Sequence, residues 1–179
     1  MSAITKGTMK IRGKRKDIER FLSEGIEPIG DRIERLNPEY IPPEKEITTV
    51  KLSSDRITEV GIRIKGENGF LVRETNKNLI ESEEIYFQIY EKNEDDLCYL
   101  FIKNYSVLNE ISADELAPIS EKYDIDMKIY AFEGFSFNQE IEIHKGSIIK
   151  DKKITFENYA WDCIDPTIGG GGGVPKTIL

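Results

Sequence analysis

Apolar and polar residues alternate through Thr8-Met-Lys-Ile-Arg-Gly13, the period-two pattern of a strand with one buried face. The period then changes. Ile18, Phe21 and Leu22 fall at i, i+3 and i+4, which predicts a short helix directly after the strand, and Gly25 predicts its C-terminal stop. From Pro28 to Glu46 the periodicity fades, because Pro28, Gly30, Pro38 and Pro42-Pro43 interrupt any long element. Strand patterns return at Ile47 to Leu52 and Ile57 to Lys65. The turn residues Glu67-Asn68-Gly69 then predict a hairpin whose returning strand is Phe70 to Arg73, since Asn and Gly tolerate positive φ. Ile85 to Tyr90 and Leu97 to Ile102 read as two further apolar strands joined by the acidic turn Asn93-Glu94-Asp95-Asp96.

Ser112 and Glu115 have the spacing of a capping box, with Ile111 and Leu116 where a hydrophobic staple would sit. Pro118 leaves two readings of this second helix: a kink at the proline, or a start near it and a run to Tyr123. Ile125, Met127 and Ile129 alternate with Asp126, Lys128 and Tyr130 as a half-buried strand. A β-meander is predicted through Phe135–His144, Ile148–Ile149 and Ile154–Tyr159. The Gly169 to Gly173 run reads as a flexible tail over 167–179. No internal repeat is visible.

At 179 residues the chain has room for a single core, and 39% hydrophobic with 32% charged residues is the composition of a folded domain rather than a disordered one. No apolar run approaches the roughly 20 residues of a membrane helix, and no apolar segment follows the basic N-terminus as in a secretory signal, so a cytoplasmic protein is expected. Cys98 and Cys163 stand apart in no metal or redox spacing, which predicts two buried thiols. The net charge of −8 is unevenly spread. Residues 1–20 carry seven cations against Asp17 and Glu19, a local +5, and the remainder is at −13. Residues 81–96 alone hold seven acids against Lys92. One pole is thus suited to phosphates and another to a basic partner, with ordinary solubility as the plainer explanation.

Four constellations could carry chemistry. Lys10, Arg12 and Lys14 share one strand face and Arg15 and Lys16 begin the helix, a set able to grip an RNA backbone; no interleaved aromatics offer base stacking in the sequence, so sequence-specific reading is not expected. On Glu59-Val-Gly-Ile-Arg-Ile-Lys65, alternation puts Glu59, Arg63 and Lys65 on one face with Gly61 leaving room. A carboxylate could there take a 2′-hydroxyl proton while the cations hold the scissile phosphate, a metal-independent RNA cleavage, although a solvated strand face explains the same pattern. Asp124, Asp126 and Lys128 resemble part of a metal-dependent nuclease core but lack an identifiable acidic partner. The single histidine, His144, sits at a strand end without a triad. Neither a metal nor a cofactor is expected.

The order strand-helix, strand-rich middle, strand-helix-strand is that of an α+β, ferredoxin-like two-layer sandwich over 1–166, with a large β-rich insertion at 26–95 and the meander at its C-terminus. Lys6-Gly-Thr-Met-Lys-Ile-Arg-Gly13 followed by Ile18-Glu-Arg-Phe-Leu22 resembles the start of the ferredoxin-like accessory proteins of phages and mobile elements. Phe101-Ile-Lys-Asn-Tyr-Ser-Val107 and Ala131-Phe-Glu-Gly-Phe-Ser-Phe137 resemble their C-terminal half. The Trp that family often carries in its first strand and before its second helix is missing, and Tyr105 stands at the latter place. The resemblance implies residence in a mobile element, and several anti-CRISPR proteins share this size and acidity. The expectation is an anti-defence protein that binds a Cas effector, such as a Cas9-type effector, and/or its guide RNA. The acidic Glu91, Glu94, Asp95 and Asp96 would occupy a positively charged channel of the effector. Guide-RNA truncation at Glu59, Arg63 and Lys65, or docking to another host protein, are the alternatives.

Overall fold

A computed structural model describes residues 4–29, 46–54, 57–65, 68–75, 78–90, 97–133 and 136–155; for 46–54, 57–65, 86 and 88–90 it describes the backbone alone. The chain is α+β, a mostly antiparallel open sheet with two helices. Strand β1 (Ile4–Lys14) is followed at once by helix α1 (Arg15–Arg20), whose last turns widen to a π-helical segment, Phe21–Gly25. Strands β2 (Ile26–Pro28), β3 (Glu46–Ser54), β4 (Ile57–Lys65), β5 (Phe70–Val72), β6 (Asn78–Ile80), β7 (Glu84–Tyr90) and β8 (Leu97–Leu108) come next. Helix α2 (Ala113–Lys122), β9 (Asp126–Glu133), β10 (Phe137–His144) and β11 (Ser147–Thr155) complete the described chain.

Eight strands pair in the order β11-β10-β9-β1-β8-β6-β5-β2, antiparallel throughout, and β3-β4-β7 form a second sheet. The stretch 26–95 therefore supplies strands to both sheets. One hairpin expectation fails. Gly69 does take a positive φ of 96°, but β5 pairs with β2 and β6, not with β4. Asn68 and Gly69 still form a turn while the chain changes sheets, and the Ile29 amide donates to the Gly69 carbonyl at 2.8 Å to fix β2 beside it.

Both helices cover one face of the large sheet. Met9 and Ile11 of β1, Leu100 and Ile102 of β8, and Met127 and Ile129 of β9 are buried with Ile18, Phe21 and Leu22 beneath α1 and Leu116 and Ile119 of α2. Each fully buried side chain of this kind contributes about 1.5–3 kcal/mol of transfer free energy. The helical segment stops at Gly25 as expected, without a positive φ there. The glycine's role is room. A Cβ there would lie 2.7 Å from the Phe21 ring and 3.0 Å from the Tyr123 ring, which pack edge-to-face with centroids 5.6 Å apart.

The cap decides the α2 question. Ser112 Oγ accepts from the Glu115 amide at 3.3 Å, so the helix starts at Ala113 and Pro118 lies inside it, on the exposed side. The carbonyl its missing N–H leaves unmatched belongs to Asp114, also exposed, where water can solvate it. The meander differs too: β11 is one continuous strand rather than two short ones. Lys145 and Gly146, at φ of 45° and 88°, make the tight turn from β10. The register then slips between Glu142 and Ile143, which leaves Ile148 and Ile149 both exposed. Lys150, Lys152 and Lys153 line this outer strand and discourage pairing with another chain. No helix among the described residues is long and apolar enough to cross a membrane.

Candidate functional site

The face of the large sheet opposite the helices is set by the same alternation that builds the core. On β1 the inward residues are Met9 and Ile11, so Lys10, Arg12 and Lys14 point the other way. On β8 the inward Leu100 and Ile102 leave Leu97, Tyr99 and Phe101 outside, 57%, 52% and 53% exposed. The antiparallel register puts these two rows side by side: Lys10 opposite Phe101, Arg12 opposite Tyr99, Lys14 opposite Leu97. Aromatic and basic side chains therefore interleave across strands, although nothing in either segment interleaves them along the chain. The absence of interleaved aromatics thus holds along the chain but not across the paired strands. The missed signal was the alternation of Tyr99 and Phe101 with Leu100 and Ile102; with both sets apolar, the outward set is unreadable without a partner strand.

Individual contacts shape this row. Lys10 Nζ lies 4.8 Å from the centroid of the Tyr99 ring. Arg12 donates from Nε and Nη2 to a single oxygen, Asp126 Oδ2, at 2.8 and 2.6 Å. That hydrogen bond, then the charge of Asp126, raises the guanidinium pKa further above its ordinary value, and the nearby Tyr99 adds to it. Arg15 and Lys16 belong to α1 instead. Arg15 is held by Glu19 one turn on, at 2.6 Å, and Lys16 is exposed. Of the five predicted phosphate-binding residues, the structure thus sets two, Lys10 and Arg12, opposite aromatics and a third, Lys14, opposite Leu97.

Across β9 and β10 the same face is neutralised. Lys128 Nζ is 3.3 Å from Glu142 and His144 Nε2 is 3.0 Å from the other oxygen of that carboxylate. Glu142 is accordingly held below the ordinary carboxylate range, chiefly by His144 and then by Lys128, and Lys128 is raised by Glu142. Asp124 pairs with Lys145 at 2.9 Å. The Asp124, Asp126 and Lys128 trio is thus engaged by three different partners rather than assembled around a shared centre. Among the described residues no three carboxylate, imidazole or thiol groups converge as a metal site requires.

Backbone positions alone describe the cleavage candidates. Glu59, Arg63 and Lys65 lie on β4, the middle strand of the small sheet, opposite Tyr90, Tyr86 and Glu84 of β7. Their side chains lie outside the described set, as do all of Glu91, Glu94, Asp95 and Asp96, Cys163 and the 167–179 tail. Cys98 is half-buried on β8, less enclosed than expected.

Chemically, the β1–β8 strip offers π-faces for bases and cations for phosphates. A base on Tyr99 must displace the Lys10 ammonium from the ring. That contact is worth about 0.5–1 kcal/mol at an exposed site, against about 1–3 kcal/mol for a stacked base, so stacking prevails and the displaced ammonium becomes available to a phosphate. No protein-family model, curated protein or solved structure matches the chain.

Proposed function

We propose that this protein binds RNA on the open face of its large sheet. The observation that carries the reading is the set of cross-strand rungs in which Lys10, Arg12 and Lys14 face Phe101, Tyr99 and Leu97. The chain's overall acidity does not oppose it, because charges beyond the Debye length of about 8 Å at physiological salt are largely screened. The contiguous order β9-β1-β8, with α1 after β1 and α2 between β8 and β9, supports a ferredoxin-like description of the central unit. Open sheets with outward aromatics are a recurrent platform for RNA. In the mobile-element setting that the sequence resemblance implies, the RNA is the guide of a Cas effector, and the protein acts as an anti-defence factor in the host cytoplasm.

Fluorescence anisotropy of labelled guide RNA, free and held by the effector, tests this. Affinity is expected in the micromolar range, with log K falling against log salt at about −0.7 per neutralised phosphate. Reversing both charges, Lys10→Glu with Lys14→Glu, is expected to weaken binding about tenfold or more, whereas Lys152→Glu on the far edge strand leaves it unchanged. No association with RNA in either form would refute the proposal. Effector binding that persists undiminished without RNA would replace it with a protein-docking role.

A further inference from the structure

The spacing of the rungs narrows the ligand class, and this inference rests on the RNA-binding reading above. Residues two apart on a strand share a face and are separated by about 6.4–6.8 Å. Tyr99 and Phe101 are such a pair, and so are Lys10 and Arg12, and Arg12 and Lys14. Consecutive bases in a stacked helix rise only about 3.4 Å. Two bases resting one on each ring must therefore be drawn to about twice the stacked distance, which a duplex does not allow. A duplex also hides the base faces that the rings would meet.

We infer that the ligand is an extended single strand, two consecutive bases of which stack on Tyr99 and Phe101 while its phosphates follow β1. The geometry divides the work among the rungs. Lys10, once displaced from the Tyr99 ring, meets a phosphate. Arg12 is tied to Asp126 through two of its N–H groups, so its charge is already matched and it serves to hold the ligand's path beside Tyr99. Leu97 closes the row as an apolar end stop, without a π-face for a third stacked base. The mixed charges of β9 and β10 border the strip on its far side and favour a ligand that stays over β1 and β8.

The test compares a short single-stranded RNA with a duplex of the same sequence, using wild-type protein and the double variant Tyr99→Leu, Phe101→Leu. Leucine keeps apolar cover but removes the π-face, and both positions are exposed, so folding is checked by circular dichroism and is expected to be unchanged. The single strand is expected to bind about tenfold or more tighter than the duplex, and the double variant to lose about tenfold or more on the single strand only. A second reading needs no variant. Two adjacent 2-aminopurines in the single strand show exciton coupling while stacked on each other, and this signal is expected to vanish on binding. Retained coupling, or equal affinity for strand and duplex with no effect of ring removal, would overturn the single-strand inference while leaving RNA binding in place. Absence of binding to both RNAs would instead overturn the underlying reading. Loss of effector binding in the ring variant without any RNA affinity would assign the face to a protein.

Discussion

Replacing Gly7 by alanine is expected to lower the melting temperature by roughly 6–12 °C, the shift that about 3 kcal/mol produces in a chain of this size. Gly7 lies in the central strand β1, opposite Ala131 of β9 on one side and Tyr105 of β8 on the other. A Cβ there would collide with the Tyr130 carbonyl and sit 2.6 Å from Ala131 Cα. Both are backbone atoms of a paired strand, so no side-chain rotation relieves the clash. The position is also where the β1–β8 register slips, between Gly7 and Met9. Overpacking usually costs about 1–3 kcal/mol, and a clash with backbone at the middle of an eight-stranded sheet belongs at the upper end or beyond. Thermal and urea unfolding monitored by circular dichroism measure it, with Lys152→Ala on the exposed edge expected to stay within about 0.5 kcal/mol of wild type. A Gly7→Ala protein as stable as wild type would show that β1 and β9 do not approach this closely.

The second large effect centres on Tyr105. Its ring is buried, and its hydroxyl donates to Oδ1 of the fully buried Asn78, whose Nδ2 donates to Glu115 Oε2 at 3.2 Å. The chain of bonds joins β8, β6 and α2. Tyr105→Phe leaves a buried acceptor without its donor and is expected to cost about 1–3 kcal/mol. Burial, and then the Glu115 carboxylate, push the phenol pKa far above its ordinary value. The folded pKa is thus higher than the unfolded one of about 10. The stabilisation is fully present below pH 10 and is lost as pH rises above it, because only the unfolded chain releases the proton. Wild-type stability is therefore expected to fall more steeply above pH 10 than that of Tyr105→Phe, measured by urea unfolding across that range. In an alkaline absorbance titration, the Tyr105 phenolate is expected to appear only as the fold is lost. Equal slopes for the two proteins would contradict its burial.

The sequence made the local elements legible wherever one face is buried and the other is polar. Thr8 to Gly13, Ile125 to Tyr130 and the Ser112 cap show this, because one period or one hydrogen bond decides each. Pairing was less legible. Asn68-Gly69 marks a tight turn but says nothing about which sheet receives the next strand, so β5 went to β2 and β6 instead of β4. Asp151-Lys152-Lys153 likewise reads as a break in sequence, yet it pairs with β10 and joins two expected strands into one. At the site, the cations were readable from alternation on β1. Tyr99 and Phe101 were not, since they lie far along the chain and only the antiparallel register with β1 brings them beside Arg12 and Lys10. Gly25 shows the remaining gap: sequence marks where a helix ends, while the reason for that glycine is the Phe21–Tyr123 contact across the core.

The central claim is that RNA lies over β1 and β8 on the face away from the helices. Chemical-shift mapping of isotope-labelled protein titrated with a short single-stranded RNA tests it directly. The account predicts shifts concentrated at residues 10–14 and 97–103, fading across β10 and β11. Shifts confined to β10 and β11 or to the small sheet, or no shifts at all, would contradict it.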